Sequence, residues 1–232
     1  MGKLRRIRKL VMFAALLTIS AIAITPRVEA METIRVLVAY DEEWAALAPI
    51  IYGYTPEELA YVFVFYTETY FIEEFDIWFS IDDYVFWDSD DNPNGAYAML
   101  NEAVDESGFE STTCQGLFAF TGQDIPGVYG LTNMSLIACL IEHYYDQVAE
   151  KQYTDHILQH EASHFWWVED HYTGEDIMCI MAYEHWQDTH EWCQTCKDKI
   201  LENYNQWAPP GGGGGDGDPR WKKAGGNEYE QI

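Results

Sequence analysis

Basic side chains are scarce in this 232-residue chain, which has 13 Lys and Arg against 39 Asp and Glu and a formal net charge of −26. No Lys or Arg occurs between Arg35 and Lys151. Because such a chain repels phosphate backbones, nucleic acid is excluded as a direct partner. Cations and basic peptides suit an acidic surface, although the same charge also serves the solubility or salt adaptation of an exported protein.

Long hydrophobic runs are also scarce, and the main one, Leu10 to Ile24, is shorter than the ~20 residues that span a bilayer. Five Lys and Arg precede it, and Val28-Glu29-Ala30 follows as a small-x-small sequence. This order is typical of a secretory signal peptide. We therefore predict a signal peptide at 1–30 that is cleaved after Ala30, a secreted protein and no stable membrane span. An uncleaved anchor is the alternative.

The rest of the chain is expected to form one domain and a tail. Residues 31–207 are long enough for one sizeable core but not for a further propeptide or accessory domain. Residues 208–232 contain five consecutive glycines and too little apolar surface to order themselves, so they predict a flexible tail. We expect a monomer.

Apolar periodicity predicts strands and helices that alternate around a small sheet. Strands are predicted at 34–40, 75–86, 116–121 and 134–141, with helices at 55–74, 96–106, 147–167 and 196–207. A loop with three glycines is predicted at 122–133, and an irregular segment at 169–196. The second half of the chain carries the candidate chemistry.

The predicted helix at 147–167 contains His160-Glu161-Ala-Ser-His164. Two histidines four residues apart lie on one face of a helix, with about 5–6 Å between their Cβ atoms. Both imidazoles can therefore bind one zinc ion while Glu161 polarises a bound water. A solvated helix that carries this short motif by chance is the alternative.

A catalytic zinc usually takes three protein ligands and one water. The third candidate ligand lies just downstream, at Asp170 or His171, and both residue types bind zinc. His156 lies one helical turn before His160, but a further ligand would fill the open coordination position. We therefore interpret His156 as a neighbour of the site or a surface residue.

The segment HEASHFWWVED, residues 160–170, resembles the zinc-binding motif of metzincin peptidases, His-Glu-x-x-His-x-x-Gly-x-x-His/Asp. On this resemblance Asp170 is the third catalytic ligand, as in the snapalysin-like members, with His171 as the alternative. Met181 matches the Met-turn that underlies the zinc ligands, and Tyr183 matches a Tyr that binds zinc or stabilises an oxyanion. Met178 is a weaker Met-turn candidate because it lacks that Tyr.

One position departs from the metzincin pattern. The family glycine is replaced by Trp167, at a turn where the backbone often needs a positive φ that a bulky residue resists. We therefore expect either that the turn is built in another way or that the third ligand shifts to His171.

Five cysteines leave one unpaired under any all-disulfide scheme. Resemblance to archaemetzincins, which carry a second zinc in this region, implies a structural zinc site of three thiolates and one imidazole. Its candidate ligands are His171, Cys179, Cys193 and Cys196. A disulfide between Cys114 and Cys139 would then use the remaining pair. Disulfides within the late cluster are the alternative, since export favours them.

A calcium site is less well supported. Asp90 to Gly95 fits the start of a calcium-binding loop, but the twelfth position is Asn101 where a bidentate Glu is expected. A polar turn that caps the second helix explains the same residues, so we do not expect Ca²⁺.

The metzincin resemblance is specific over 160–196 and implies the fold and the activity. The implied fold is α+β: a mixed twisted sheet packed on an active-site helix, with a small C-terminal subdomain and a substrate edge at 122–134. The implied function is a secreted zinc-dependent endopeptidase that cleaves peptides or proteins with a zinc-bound water activated by Glu161. The alternatives are a catalytically silent zinc-stabilised binding module and a zinc hydrolase of non-peptide amides.

Overall fold

The computed structural model of the protein describes residues 32–89, 95–111, 113–125, 127–172, 177–204 and 229–231. The predicted signal peptide and most of the predicted calcium loop lie outside these residues. The predicted flexible tail also lies outside them, apart from its last strand.

The elements alternate as the sequence predicts. The strands are β1 (Glu32–Tyr40), β2 (Ile77–Phe86), β3 (Gly116–Thr121), β4 (Gly130–Asn133), β5 (Ala138–Glu142), β6 (Tyr145–Asp146), β7 (Lys151–Gln152) and β8 (Tyr229–Gln231). The helices are α1 (Glu42–Leu47), α2 (Pro56–Phe75), α3 (Ala96–Ser107), α4 (Thr154–Ser163) and α5 (Gln194–Tyr204). A π-helical turn, Ala48–Tyr52, follows α1, and a 3-10 turn, His164–Trp166, follows α4.

The main sheet is mixed and has the strand order β2-β1-β3-β5-β4-β8. Its first four strands are parallel, whereas β4 runs antiparallel to β5. The short strand β8 pairs antiparallel with the outer side of β4. This arrangement confirms the expected α+β fold with a mixed sheet.

Side chains of the sheet build two cores, one on each face. In β3, Phe118 and Phe120 join the core formed with α2 and α4, whereas Leu117 and Ala119 join the core formed with α3. Successive strand residues point to opposite faces, which explains this alternation. Each fully buried Phe or Leu contributes about 1.5–3 kcal/mol. Both faces of the sheet are therefore covered by helices.

Helix α2 begins where the sequence predicts. The Glu58 backbone N–H donates to Thr55 Oγ1 at 3.2 Å, and the Thr55 N–H donates to the Glu58 carboxylate at 2.9 Å. Pro56 holds the first helical position, where its missing N–H costs no hydrogen bond. This reciprocal capping fixes the start of the longest helix of the described chain.

Three element boundaries differ from the prediction. The helix that carries the motif begins at Thr154 rather than residue 147, because β6 and β7 form a hairpin before it. The strand predicted from residue 134 begins at Ala138, after a turn in which Ile137 has a φ of 54°. The predicted loop at 122–133 contains β4. Hydrophobic periodicity does not reveal such turns where the apolar residues form a continuous run.

No helix among the described residues is long and apolar enough to cross a membrane.

Two carboxyl groups are buried at the C-terminal ends of strands. Asp41, which caps α1, accepts hydrogen bonds from Trp44 N at 2.8 Å and Gly122 N at 3.1 Å. Burial nevertheless raises the pKa of Asp41 to about 6. Burial likewise raises the pKa of Glu142, which accepts a hydrogen bond from Ile125 N at 3.3 Å, to about 8.

The raised pKa of Glu142 makes stability depend on pH. The folded state keeps this proton from the ordinary pKa of 4.5 up to about 8, whereas the unfolded chain loses it. The contribution of Glu142 to the free energy of unfolding is therefore full below 4.5, falls through this window and stays low above it.

We expect Glu142→Gln to remove this loss, because its amide keeps the shape of the neutral acid. The melting temperature should rise by several degrees at pH 8, since about 1 kcal/mol shifts it by ~2–4 °C in a domain of this size. At pH 4.5 it should be unchanged. Thermal denaturation at both pH values checks this, with the exposed Glu73→Gln as control. Equal melting temperatures for the variant and the wild-type protein at pH 8 would contradict the assignment.

Candidate metal centre

Helix α4 and the 3-10 turn after it place the imidazole rings of His160 and His164 next to each other. His160 lies in the last turn of α4, and His164 keeps a helical backbone with φ of −62° and ψ of −21°. The two rings are 5.0 Å apart and nearly perpendicular. Both side chains are fully buried, with 0% and 1% exposure. The four-residue spacing therefore survives although the α-helix ends at Ser163.

The outer nitrogen of each ring is held by a backbone carbonyl. His160 Nδ1 donates to Ile180 O at 2.8 Å, and His164 Nδ1 donates to Val168 O at 2.5 Å. Such bonds fix the tautomer and leave Nε2 as the metal-binding atom. The histidines are thus oriented by carbonyls from two different segments.

Asp170 completes the cluster. Its Oδ1 lies 2.8 Å from His160 Nε2 and 3.7 Å from His164 Nε2. A tetrahedral zinc ion with bonds of about 2.0–2.2 Å separates its ligands by about 3.4 Å. These three residues therefore fit a metal ion both in donor type and in spacing. His171, the alternative third ligand, belongs to a different cluster, so the geometry favours Asp170.

The turn between these ligands has the backbone of a glycine turn. Trp167 adopts the left-handed conformation, with φ of 59° and ψ of 29°, and its N–H donates to His164 O at 2.8 Å. This conformation costs a non-glycine residue about 1–2 kcal/mol. The expectation that the turn is built in another way is therefore wrong, and Asp170 remains the predicted third ligand. The fold carries the strain and keeps Asp170 in place.

The charges of the cluster shift its pKa values in opposite directions. Burial, the largest single cause, lowers the pKa of His160, but Asp170, Glu161 and the Ile180 carbonyl together raise it to about 9. Burial and the neighbouring His160 lower the pKa of His164 to about 4. Burial, the largest single cause, raises the pKa of Asp170, but the three histidines around it, His160, His164 and His171, together lower it below its usual value. The Asp170 carboxylate and the neutral His164 are thus in the forms that bind metal, whereas His160 is protonated at neutral pH and would release its proton when a metal ion binds.

Glu161 lies beneath the edge strand β4. Thr132 Oγ1 donates to the Glu161 carboxylate at 2.5 Å, and it also lies 3.0 Å from the Glu161 backbone carbonyl. A Cβ at Gly130 would lie 2.5 Å from Glu161 Oε1, so only glycine leaves room for this side chain. The roles of Thr132 and Gly130 cannot be recognised from the sequence, because they depend on a strand, β4, in a segment that is predicted to be a loop.

The predicted Met-turn lies against the same cluster. Met181 is fully buried, and Met178 is exposed. The turn closes with Ala182 N donating to Cys179 O at 3.0 Å, and His171 N donates to Met181 O at 3.2 Å. The segment therefore contacts the chain directly after Asp170. Tyr183 is 42% exposed and packs on Tyr172 with ring centres 4.9 Å apart. Its oxyanion role stays a prediction.

A second cluster brings together the four residues proposed for a structural zinc, His171, Cys179, Cys193 and Cys196. Cys196 Sγ lies 3.7 Å from Cys179 Sγ and 3.5 Å from Cys193 Sγ. Tetrahedral zinc with Zn–S bonds of about 2.3 Å places its sulfurs about 3.8 Å apart, whereas a disulfide needs about 2.05 Å. The spacing therefore fits a metal ion and not a disulfide.

The thiols of this cluster differ in acidity. The hydrogen bond between Cys179 and Cys196 is the main cause that lowers the pKa of Cys179 to about 5, and the Cys193 backbone N–H donates a further bond to Cys179 Sγ at 3.2 Å. The same contact raises the pKa of Cys196. One thiolate is therefore ready to bind a metal ion at neutral pH.

The expected disulfide between Cys114 and Cys139 does not form, since both cysteines are free. In the β3–β5 register Cys139 lies opposite Phe118, four residues after Cys114. At about 3.3 Å per residue this offset is about 13 Å, well beyond the ~7 Å limit between bridged Cα atoms. Cys114 instead donates to Asp82 Oδ2 at 3.3 Å.

We expect the two clusters to bind metal ions independently. After Co²⁺ substitution, His171→Ala should weaken the thiolate-to-cobalt charge-transfer absorption, because it removes a ligand from the cysteine cluster. Asp170→Ala should leave this absorption intact but should lower the cobalt content by about one equivalent per chain. If the charge-transfer band were lost in Asp170→Ala but kept in His171→Ala, the assignment of these two residues to separate clusters would be contradicted.

No family model and no curated protein matches this chain. Among solved structures, archaemetzincin from Methanopyrus kandleri is similar, with a TM-score of 0.53, 13% identity and coverage of 78% of this chain and 99% of that chain. A structure described as a chaperone-substrate complex has a TM-score of 0.51 and 11% identity, and the match covers 75% of this chain and 34% of that chain. At such identities the likeness is one of fold, and the fold of this chain resembles that of archaemetzincin.

Proposed function

We propose that this protein is a zinc-dependent endopeptidase in which His160, His164 and Asp170 hold the catalytic ion. The observation that carries this proposal is the convergence of these three ligand atoms beside Glu161. A structural zinc ion would not need the glutamate. The motif resemblance and the archaemetzincin-like fold support the same activity independently.

A zinc ion bound here supplies Lewis-acid activation of water and of the peptide carbonyl. Glu161 accepts the proton of the attacking water and passes it to the leaving amine. Thr132 positions the Glu161 carboxylate through its hydroxyl. Tyr183 donates a hydrogen bond to the developing oxyanion after its side chain turns inward.

The antiparallel edge strand β4 is the proposed substrate edge. An extended peptide can add to an exposed strand through backbone hydrogen bonds, with alternate side chains entering pockets. In the structure Tyr229–Gln231 pairs with this edge in antiparallel register, from Leu131 to Asn133. The edge therefore accepts an extended segment directly above the helix that carries Glu161.

The cysteine cluster is proposed to hold a second, structural zinc ion. Its three thiolates and one imidazole are a frequent ligand set of closed zinc sites. We also propose that the protein is exported through the predicted signal peptide.

A zinc-stabilised binding module is a second candidate, and one observation favours it. Glu161 has no exposed surface, whereas a general base must reach the attacking water. In a peptidase, β4 or the segment paired with it must therefore move when substrate binds.

We expect Glu161→Gln to lower kcat/KM for peptide cleavage by about 10²–10⁴-fold, because it removes the general base. Zinc content should not change, since Glu161 is not a ligand. Mass-spectrometric analysis of a mixed peptide library digested by the full chain measures this effect. Glu169→Gln is the matched control, since its carboxylate is 70% exposed on the same segment. If the folded, zinc-loaded wild-type protein cleaves no peptide of the library, the result would favour the binding module instead.

We expect Thr132→Val to lower kcat about tenfold with little change in KM. The substitution keeps the shape of the buried side chain but leaves the Glu161 carboxylate without this hydroxyl. Thr132→Ser should restore most of the rate. Steady-state kinetics of the three proteins test this positioning role, and equal kcat values for Val and Thr would refute it.

A further inference from the structure

A third group of metal-binding side chains lies outside both clusters described above. Asp155 and His156 are in the first turn of α4, and His190 precedes α5 by four residues. One ligand atom from each residue lies within 4.8 Å of the other two, as in the cluster of His160, His164 and Asp170. From the sequence, His156 is expected to be a neighbour of the site or a surface residue, and Asp155 and His190 have no predicted role.

The separations within this group are those of metal ligands. Asp155 Oδ1 lies 3.1 Å from His156 Nδ1, and Asp155 Oδ2 lies 3.7 Å from His190 Nε2. A tetrahedral ion with bonds of about 2.0–2.2 Å needs separations of about 3.4 Å. The carboxylate therefore lies between two imidazoles, as Asp170 does in the candidate catalytic site.

The ring of His190 is fixed in a metal-binding orientation. Its Nδ1 donates to Gln159 Oε1 at 2.6 Å, and Gln159 Nε2 donates back to the His190 carbonyl at 2.7 Å. The ring of Tyr70 stacks on the same imidazole at 4.0 Å. With Nδ1 engaged, Nε2 is the nitrogen that faces Asp155, the arrangement that a supporting hydrogen bond gives to metal-binding histidines.

Exposure and chemistry also suit a cation. The side chains of Asp155, His156 and His190 are 20%, 14% and 20% exposed, so an ion can enter and can keep water ligands. Two imidazoles and a carboxylate favour Zn²⁺ and similar transition metals over Ca²⁺ or Mg²⁺.

We propose that Asp155, His156 and His190 form a third metal site, which binds one Zn²⁺ or similar transition-metal ion with water in its remaining positions. The ion joins the start of α4 to the segment that returns toward the cysteine cluster. Because Gln159 contacts His190 and directly precedes His160, metal binding here also stiffens the helix beside the candidate catalytic site. The proposal does not depend on peptidase activity.

The test is the zinc content of the full chain equilibrated with buffered, micromolar free Zn²⁺ and measured by elemental mass spectrometry. Asp155→Asn and His190→Gln should each contain one equivalent of zinc less than the wild-type protein. Asp188→Asn and His185→Gln are matched controls from the same region, because neither residue belongs to a metal-ligand group of the described chain. Their zinc content should equal that of the wild-type protein.

Circular dichroism of the same zinc-equilibrated samples shows whether each variant keeps the wild-type fold. Asp155→Asn nearly preserves side-chain size, so it remains informative if His190→Gln unfolds. Equal zinc content in wild-type protein and folded Asp155→Asn would overturn the proposal. An equal loss in the two control variants would overturn it as well. Because the readout is a difference from wild type, it is separate from any failure of the peptidase assignment.

Discussion

Burial of the Asp170 carboxylate between two imidazoles is the interaction on which the rest of this structure depends. A buried charge costs several kcal/mol unless partners compensate it. Here the partners are His160 and His164, and their outer nitrogens engage the carbonyls of Ile180 and Val168. One carboxylate thereby ties together α4, the turn after it and the Met-turn. These three segments are irregular or short, so this polar centre rather than secondary structure defines their arrangement.

The same geometry explains how two metal clusters lie side by side. Asp170 and His171 are consecutive, and His171 forms a parallel bridge with Ala182. In extended backbone, neighbouring side chains point to opposite sides. One residue therefore serves the candidate catalytic site while the next serves the cysteine cluster. The left-handed conformation of Trp167 sets the direction of the chain that leads into Asp170 and His171. Its conformational strain is compensated by contacts that exist only in the folded chain.

Sequence patterns predicted the sheet and the candidate ligands where local signals are strong. The capping box at Thr55 and the short buried strand β3 lie where the sequence predicts them. The motif at 160–170 contains the three residues that converge. By contrast, the roles of Thr132 and His190 rest on contacts between residues 29 and 31 positions apart in the chain. Such contacts leave no periodicity, so only the folded structure brings them together.

Strand β4 links the two parts of the proposed mechanism. Gly130 and Thr132 lie two residues apart on the face of the strand that points toward Glu161. Gly130 leaves space for the Glu161 side chain, and Thr132 donates a hydrogen bond to its carboxylate. Leu131 points to the opposite core, so the strand cannot shift by one residue without burying the wrong side chains. A peptide added at its outer edge would lie about 4.8 Å away. Under the proposed function, displacement of Tyr229–Gln231 would free that edge for a substrate peptide.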